Sequence, residues 1–453
     1  MVTTPHEPPA HPAPPVYVVG GGPGGLAVAA ALRGRGVRAV VLEKSDAVGA
    51  SWRAHYDRLR LHTTRRLSGL PGLRMPRSFG RWVARADVVR YLEKYAEKHE
   101  LEVVTGVEVF GIERSGAEWV LHATGGRRLV GSAVVVATGF NHTPSLPEWP
   151  GLDAYGGEVS HARAYRAPEP YAGRDVLVVG AGNTGAEIAA DLAGGGAKRV
   201  WLAVRTVPHI VRRTTAGWPA QRTGILVRRL PVPVVDRLGA VMARFAAPDL
   251  SAYGLPRPDT GLATRQRQGA IPVQDVGLVD AVRSGKVEVV AAVEGFEGGE
   301  VLLADGTRIA PDAVIAATGY RRALEPLVGG LGVLDERGRP VVHGARCPRD
   351  APGLYFTGFT NPISGMFREL AIDAEKIARA IARRAARAEA KARTKAKAET
   401  RTKAKAEAKA EAKAEAKAEA KAEAKAEAEA AGSAKAAGDV TLPPEAPAPA
   451  GGG

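Results

Sequence analysis

Short apolar runs alternate with helix-like segments along most of the chain. The runs Val16–Val19 and Ala39–Leu42 are continuously hydrophobic, as expected of strands that are buried on both faces of a parallel sheet. The segment between them is rich in Ala and Leu, which favours a buried helix. This alternation of strand and helix predicts an α/β fold built on parallel sheets.

The first strand runs directly into a glycine-rich turn, GGGPGG, and the second strand ends at Glu43. Strand, turn, helix, strand and acid in this order are typical of a dinucleotide-binding unit. Gly20 permits the tight turn, Gly22 lets the backbone approach a pyrophosphate, and Gly25 lets the helix pack closely on the strand. We expect Glu43 to accept hydrogen bonds from ribose hydroxyls.

A second unit of the same design begins 160 residues later, where Val176–Val179 leads into GAGNTG and another helix. Its next strand is followed by Arg205 instead of an acid. A guanidinium can pair with a 2′-phosphate, so this site is predicted to prefer NADPH. One such glycine motif is weak evidence, but two in matching contexts are strong. The residues expected to contact the second nucleotide are Gly180, Gly182, Asn183, Thr184, Gly185 and Arg205.

Two further apolar runs share a sequence, VVVATGF at 134–140 and VIAATGY at 314–320. Each predicts a buried strand that enters a glycine turn, and together they are interpreted as the crossings between two nucleotide-binding domains. The residues assigned to nucleotide contacts here are Thr138, Gly139, Thr318, Gly319 and Tyr320.

Composition is that of a globular protein of two or three domains: 453 residues, 45% apolar and 25% charged. The formal net charge is +15, of which +10 lies upstream of residue 383. This surplus favours anionic ligands, whether nucleotides, nucleic acid or acidic membranes, without choosing among them. Cys347 is the only cysteine, which excludes an internal disulfide and fits a reducing compartment.

The two ends differ from the body. Residues 1–15 are rich in Pro and predicted to be disordered, and no run approaches the roughly 20 apolar residues of a membrane span. A cytoplasmic protein is expected. Residues 386–453 repeat Ala, Lys and Glu, with like charges four apart at Lys405 and Lys409, so only marginal helix and no coiled coil are predicted. We interpret this segment as a solvated tail; a basic tether for nucleic acid is the alternative.

The segment between the two glycine motifs resembles a known family. The segment YGGEVSHARAY at 155–165 resembles the F-x-G-x-x-x-H-x-x-x-Y/F signature of flavin-containing monooxygenases, with Tyr155 in place of Phe. Blocks at 49–71, 253–261 and 271–290 look like those of YUCCA-type indole-3-pyruvate monooxygenases. The resemblance covers roughly residues 16–382 and omits both ends.

This resemblance implies FAD on the first unit, NADPH on the second, and transfer of oxygen from O₂ to a small molecule through a flavin C4a-(hydro)peroxide. The implied fold has two Rossmann-like domains, the NADPH domain inserted into the FAD domain. The expected ranges are 16–154 for the first part of the FAD domain, 155–304 for the NADPH domain, and 305–385 for the return to the FAD domain.

The resemblance also implies site residues. Trp52, His62, His161 and Gly358 are expected near the cofactors, and the helix after the 358–361 loop would direct its N-terminus at the flavin. The chain departs from animal-type members, which carry an Asn in the region of His62. The catalytic residue is therefore unknown, with Thr63, Thr64 and Asn361 as candidates.

The expected reaction is oxidative decarboxylation of an aryl 2-oxo acid such as indole-3-pyruvate, in a pocket shaped by residues 206–275 with their aromatic Trp218, Phe245 and Tyr253. Oxygenation of a soft nitrogen or sulfur is the alternative. A Baeyer–Villiger enzyme usually has Trp where Tyr165 stands, and a disulfide reductase is excluded by the single cysteine. No RNA or helix-turn-helix motif supports the distant alternative of a nucleic-acid-binding or scaffold protein, and no metal motif is present.

Overall fold

The computed structural model describes residues 14–228, 230–246 and 249–437, and it does not describe the side chains of 242–248 and 431–437. Most of the Pro-rich arm, the last part of the tail and the side chain of Phe245 therefore lie outside the described residues. The chain divides into two units, residues 1–382 and 383–453.

The described residues form these strands: β1 Val16–Val19, β2 Ala39–Leu42, β3 Glu102–Val104, β4 Val109–Ser115, β5 Glu118–Ala123, β6 Arg127–Gly131, β7 Ala133–Val136, β8 Thr143–Pro144, β9 Glu158–His161, β10 Asp175–Val179, β11 Arg199–Ala203, β12 Ile210–Arg212, β13 Thr214–Thr215, β14 Trp218–Pro219, β15 Val273–Asp275, β16 Glu288–Val290, β17 Val293–Glu297, β18 Glu300–Leu303, β19 Arg308–Ile309, β20 Ala313–Ala316, β21 Tyr320–Arg321 and β22 Leu354–Phe356. The α-helices are α1 Pro23–Arg33, α2 Ala50–Arg53, α3 Arg85–Lys98, α4 Asn183–Gly194, α5 Ala220–Val227, α6 Val232–Ala246, α7 Leu262–Arg267, α8 Leu278–Arg283, α9 Glu325–Val328 and α10 Met366–Ala437.

Two five-stranded parallel sheets organise the first unit. The order is β22-β7-β1-β2-β3 in the first sheet and β16-β11-β10-β20-β9 in the second. In both sheets the strand before the glycine motif is central, and the strand after the motif's helix lies beside it. The expected α/β fold with two dinucleotide-binding sheets is confirmed.

The first sheet is covered on both faces, which explains why its strands are continuously apolar. Val18 and Val135 face a core that contains residues of α1, α3 and α10. Val19, Val134 and Val136 face the opposite core, which contains Trp119 of the antiparallel β4-β5-β6 sheet. Successive side chains of a strand point to opposite faces, so burial on both sides requires an apolar residue at every position.

The second sheet is inserted between strands of the first. The chain leaves the first sheet after β7 and comes back to it at β22, and the short β8 and β21 of the two crossings pair with each other. From the sequence, the chain was expected to return to the first domain at residue 305. However, β20 pairs with β10 in the second sheet, so the return follows residue 321. The run at 313–316 is buried in either sheet, which is why its pattern alone did not identify its partner strand.

The tail is helical as far as it is described. Helix α10 continues to Ala437, and its residues 385–430 are exposed. The sequence predicted only marginal helix here, and the high Ala content favours the helix that is present. Opposite charges pair four residues apart where the repeat changes register, as in Lys403–Glu407 and Lys425–Glu429, each worth about 0.3–0.5 kcal/mol. No helix among the described residues is long and apolar enough to cross a membrane.

Deleting residues 390–453 should leave the first unit intact, because the described side chains of this segment are exposed and bury no core. We expect the midpoint of thermal unfolding, followed by near-ultraviolet circular dichroism, to change by no more than about 2 °C. A larger fall in the midpoint would mean that the tail stabilises the first unit.

Candidate functional site

The two glycine turns have nearly the same backbone geometry. Gly20 and Gly180 have φ of 111° and 110°, a conformation that side chains with a Cβ rarely adopt. A Cβ on Gly25 would lie 1.9 Å from the carbonyl oxygen of Gly20, and a Cβ on Gly185 would lie 1.9 Å from that of Gly180. Both helices therefore approach their turns as closely as backbone atoms allow.

The middle glycine of each turn faces open space. A Cβ on Gly22 or Gly182 would meet no atom within 4 Å. Each of these glycines is also the N-cap of a helix, α1 or α4, and the backbone N–H groups of a helix's first turn can bind an anion; in α1 these donors begin at Gly24, because Pro23 has no N–H. An open backbone at a helix N-terminus fits the pyrophosphate of a dinucleotide, so both turns suit the expected cofactors.

Glu43 is buried beside the first turn. Its Oε2 accepts a hydrogen bond from the Gly21 N–H at 2.6 Å, and its Oε1 accepts one from the Ser45 N–H at 2.9 Å. These bonds fix the carboxylate at the carboxyl end of β2. The side chain thus lies where the sequence placed the ribose-binding acid.

Two threonine hydroxyls at the carboxyl edge of the first sheet have no hydrogen-bond partner among the described residues. They belong to Thr138 after β7 and Thr357 after β22, and both oxygens are buried. Buried hydroxyls are normally paired, so these two suit polar atoms of a ligand. Their neighbours Gly139 and Gly358 lie on the same edge. Thr357 was not predicted from the sequence, although its place directly after a buried strand was a usable signal.

A cavity of about 920 Å³ lies at the carboxyl edge of the second sheet. Of the residues expected to contact the second nucleotide, those in its lining are Gly180, Gly182, Arg205, Thr318 and Gly319. Arg205, Arg265 and Arg321 line it together with one acid, Glu148, and the three guanidinium groups have no hydrogen bond or ion pair within the described part of the chain. The cavity is therefore electropositive and suits a polyanion. Arg265 and Arg321 were not predicted.

Three residues predicted to contact the second nucleotide are absent from the lining of this cavity. The Asn183 side chain donates from Nδ2 to the Pro272 carbonyl at 3.0 Å and accepts from the Gln274 N–H at 2.8 Å, which ties β15 to α4. Gly185 packs against its turn, and Thr184 is half-buried in the first turn of α4. These residues shape the turn and do not line the cavity.

His161 lies at the crossing between the sheets. Its Nδ1 accepts from the Arg163 N–H at 3.1 Å, so Nε2 carries the proton and donates to the Gly319 carbonyl at 3.0 Å. Burial lowers the pKa of His161, which favours this neutral form. Its ring also packs edge-on against Tyr320, with 5.0 Å between the ring centres. His161 thus holds the turn that follows β20.

The loop at 62–64 is held by two side chains of the inserted segment. His62 Nε2 is hydrogen-bonded to buried Glu187 of α4. The Thr64 N–H donates to Gln221 Oε1 at 2.9 Å, and Thr63 Oγ1 lies 2.8 Å from Ser68 Oγ. Sequence reasoning missed Glu187 and Gln221, because neither belongs to a glycine motif's consensus.

The candidate catalytic residues lie on two adjacent loops. A Cβ on Gly365 would lie 2.7 Å from Thr63 Cγ2, so the 361–365 loop touches the 62–64 loop. The Asn361 carbonyl accepts from Gln266 Nε2 at 3.0 Å. Trp52 packs edge-on against Phe367 of α10, 5.8 Å between ring centres, on the same side of the first sheet.

Two of the aromatic residues expected to shape the substrate pocket lie at the surface, and the side chain of Phe245 is outside the described part of the chain. Trp218 and Tyr253 are 47% and 43% exposed, and neither lines the cavity. The guanidinium of Arg222 lies over the Trp218 ring, 5.1 Å from its centre. The sequence around Trp218 and Tyr253 does not indicate whether their rings point into a pocket or to solvent. In the structure both rings lie at the surface.

Residues 17–215, which contain both glycine turns, match a family described as pyridine nucleotide-disulphide oxidoreductase. Among solved structures, a flavin-containing monooxygenase from Stenotrophomonas maltophilia is 25% identical, with a TM-score of 0.61 over 81% of this chain and 98% of its own. A cyclohexanone monooxygenase, 19% identical, shares the fold with a TM-score of 0.64 over 82% of this chain and 87% of its own.

Curated relatives match over a similar share of this chain and at higher sequence identity. Indole-3-pyruvate monooxygenase YUCCA1 of Oryza sativa subsp. japonica is 37% identical over 77% of this chain and 87% of its own length. A probable indole-3-pyruvate monooxygenase of Arabidopsis thaliana, YUCCA3, is 33% identical over 81% and 86%. The chain belongs to the family of FAD- and NADPH-dependent flavin monooxygenases that includes the YUCCA proteins.

Proposed function

We propose that this monooxygenase converts an aryl 2-oxo acid, with indole-3-pyruvate as the first candidate, to the arylacetic acid. The overall reaction consumes the 2-oxo acid, O₂, NADPH and one proton. It yields the arylacetic acid, CO₂, NADP⁺ and water. One oxygen atom of O₂ enters the new carboxyl group, and the other leaves as water.

One observation carries this proposal: the similarity to indole-3-pyruvate monooxygenases extends through the inserted segment, well past the residues that form the glycine turns. In that segment Gln221 and Gln266 bond to the two loops that carry the candidate catalytic residues. A segment that touches those loops is placed to influence which substrate reacts.

The residues of the chain would bind and orient the reactants, while bound FAD would supply the oxygen chemistry. The first turn with Glu43, Thr138 and Thr357 would hold FAD at the edge of the first sheet. The second turn and Arg205 would hold NADPH in the electropositive cavity. The Thr63 and Thr64 hydroxyls, which bond to Ser68 and Gln221, are the candidates to contact the reacting atoms, and burial of Thr64 restricts the access of water.

The proposed partners are the small-molecule substrate and O₂, with no nucleic acid, and the proposed location is the cytoplasm. The lone Cys347 fits a reducing compartment. The basic excess of the first unit is explained in part by the arginines of the cavity, which suit a nucleotide phosphate.

Replacing Arg205 with Ala should raise the Michaelis constant for NADPH and leave that for NADH nearly unchanged. Arg205 lines the cavity, and its guanidinium has no partner among the residues that the structure describes, so it is free to pair with the 2′-phosphate that only NADPH carries. A charge-assisted contact of about 1.5–3 kcal/mol implies a rise of roughly 10- to 150-fold. Steady-state oxidation of each nucleotide provides the measurement.

The matched control is Arg199→Ala, at the opposite end of the same strand, where the guanidinium lies over Trp201. Arg199→Ala should change neither the Michaelis constant for NADPH nor that for NADH. An equal rise of the Michaelis constants for NADPH and NADH in Arg205→Ala would show that Arg205 does not bind the 2′-phosphate.

The substrate proposal is tested by supplying NADPH, O₂ and candidate substrates while CO₂ and arylacetate are measured. We expect one CO₂ and one arylacetate for each 2-oxo acid consumed. A thioether and a tertiary amine serve as comparison substrates. Formation of S- or N-oxide with no arylacetate from any aryl 2-oxo acid would contradict the proposal and favour oxygenation of soft nucleophiles.

A further inference from the structure

One buried amide of the inserted segment joins the two loops that carry the candidate catalytic residues. Gln221, at the start of α5, is 2% exposed. Its Oε1 accepts from the Thr64 N–H at 2.9 Å and lies 3.3 Å from the Thr64 hydroxyl. Its Nε2 donates to the Ser364 carbonyl at 2.9 Å. The side chain therefore uses both ends, one on each loop.

The surroundings leave little freedom for this side chain. A Cβ on Gly365 would lie 2.7 Å from Gln221 Nε2, and a Cβ on Gly224 would lie 2.7 Å from the Ile363 carbonyl oxygen. Glycine at both positions lets α5 and the 361–365 loop approach each other around the amide. Glutamine supplies a donor and an acceptor on one planar group, which an aliphatic side chain of similar size cannot do.

A second glutamine reinforces the same loop. Gln266 of α7 donates to the Asn361 carbonyl, three residues before Ser364. The bonds from Gln221 and Gln266 come from two different helices of the insert and reach two points of one loop. The 361–365 loop is thus positioned by the inserted segment. Of these two glutamines only Gln221 also bonds to the 62–64 loop, which Glu187 holds at His62.

We propose that Gln221 is a positioning residue that holds the Thr64 loop against the 361–365 loop, so that oxygen is delivered to the substrate and not lost as hydrogen peroxide. This proposal rests on the proposed function. If the loops separate, water enters between them, and NADPH, O₂ and a proton yield NADP⁺ and hydrogen peroxide without product. Gln221 then controls the yield of product per NADPH and not the delivery of hydride.

This role for Gln221 implies that its loss changes the yield of product per NADPH and leaves FAD binding and FAD reduction unchanged. The second glycine turn and Arg205 line the cavity, and Gln221 does not. Loss of the Gln221 bonds should therefore leave the reduction of FAD by NADPH unchanged. The described hydrogen bonds of the Gln221 side chain go to Thr64 and Ser364 and not to the first glycine turn, so FAD content should also be retained.

The test compares Gln221→Leu and Gln221→Glu with a matched control, Gln268→Leu, whose side chain is exposed and has no hydrogen bond within the described residues. In Gln221→Leu the hydrogen peroxide formed per NADPH should rise about fivefold or more, since both loops lose a buried hydrogen bond of about 1 kcal/mol. Anaerobic reduction of FAD by NADPH should stay within about twofold of wild type. The control should match wild type in both measurements.

Gln221→Glu keeps an acceptor for Thr64 and loses the donor to Ser364, so its peroxide yield should fall between those of wild type and Gln221→Leu. A readout independent of turnover is hydrogen exchange of the peptide that contains Thr64. Its amide should exchange faster in Gln221→Leu, be protected in Gln221→Glu, and be unaffected in the control.

Two results would overturn the assignment. The first is a wild-type peroxide yield and unchanged Thr64 exchange in Gln221→Leu. The second is a loss of FAD reduction in proportion to the loss of product, which a general structural defect would cause. If wild type oxygenates only amines or thioethers, the proposed substrate is wrong, but peroxide yield with those substrates and the exchange measurement still decide the role of Gln221.

Discussion

The contact between the first and last glycines of each turn is the constraint on which the nucleotide sites depend. A methyl group at Gly25 or Gly185 would overlap the carbonyl oxygen of the turn's first residue, at 1.9 Å. Because this contact is made by backbone atoms, it brings each helix N-terminus to the carboxyl edge of its sheet. The edge with Thr138 and Thr357 and the cavity with Arg205 both follow from that placement.

The inserted segment links these two edges. Glu187, on the helix that follows the second turn, is hydrogen-bonded to His62 of the first domain, and Gln221 bonds to Thr64 two residues later. The loop with the candidate catalytic residues therefore depends on the second domain for its position. A substitution in the insert can change the reaction without touching either glycine turn.

Much of this architecture could be predicted from sequence, because its signals are local. Continuous apolar runs identified the central strands, and glycine spacing identified both turns. The strand order could not be obtained in this way, so the return to the first domain was placed at residue 305 although β20 pairs with β10. No sequence pattern identified Gln221, Arg265 or Arg321. A polar residue in a loop or short helix has the same kind of sequence context whether it is buried, lines a cavity or faces solvent. The side chain of Asn183, which was expected at a nucleotide, bonds to the backbone of Pro272 and Gln274, and the sequence pattern did not indicate these bonds.

The central claim is that the two turns divide the cofactors, FAD on the first and NADPH on the second. The most direct measurement is the flavin content per polypeptide of the matched variants Gly22→Ala and Gly182→Ala, since neither new methyl group meets a protein atom within 4 Å. We predict that Gly22→Ala loses most of its FAD at unchanged fold. Gly182→Ala should retain FAD and be reduced slowly by NADPH. Equal loss of FAD in both variants, or loss in Gly182→Ala alone, would contradict the account.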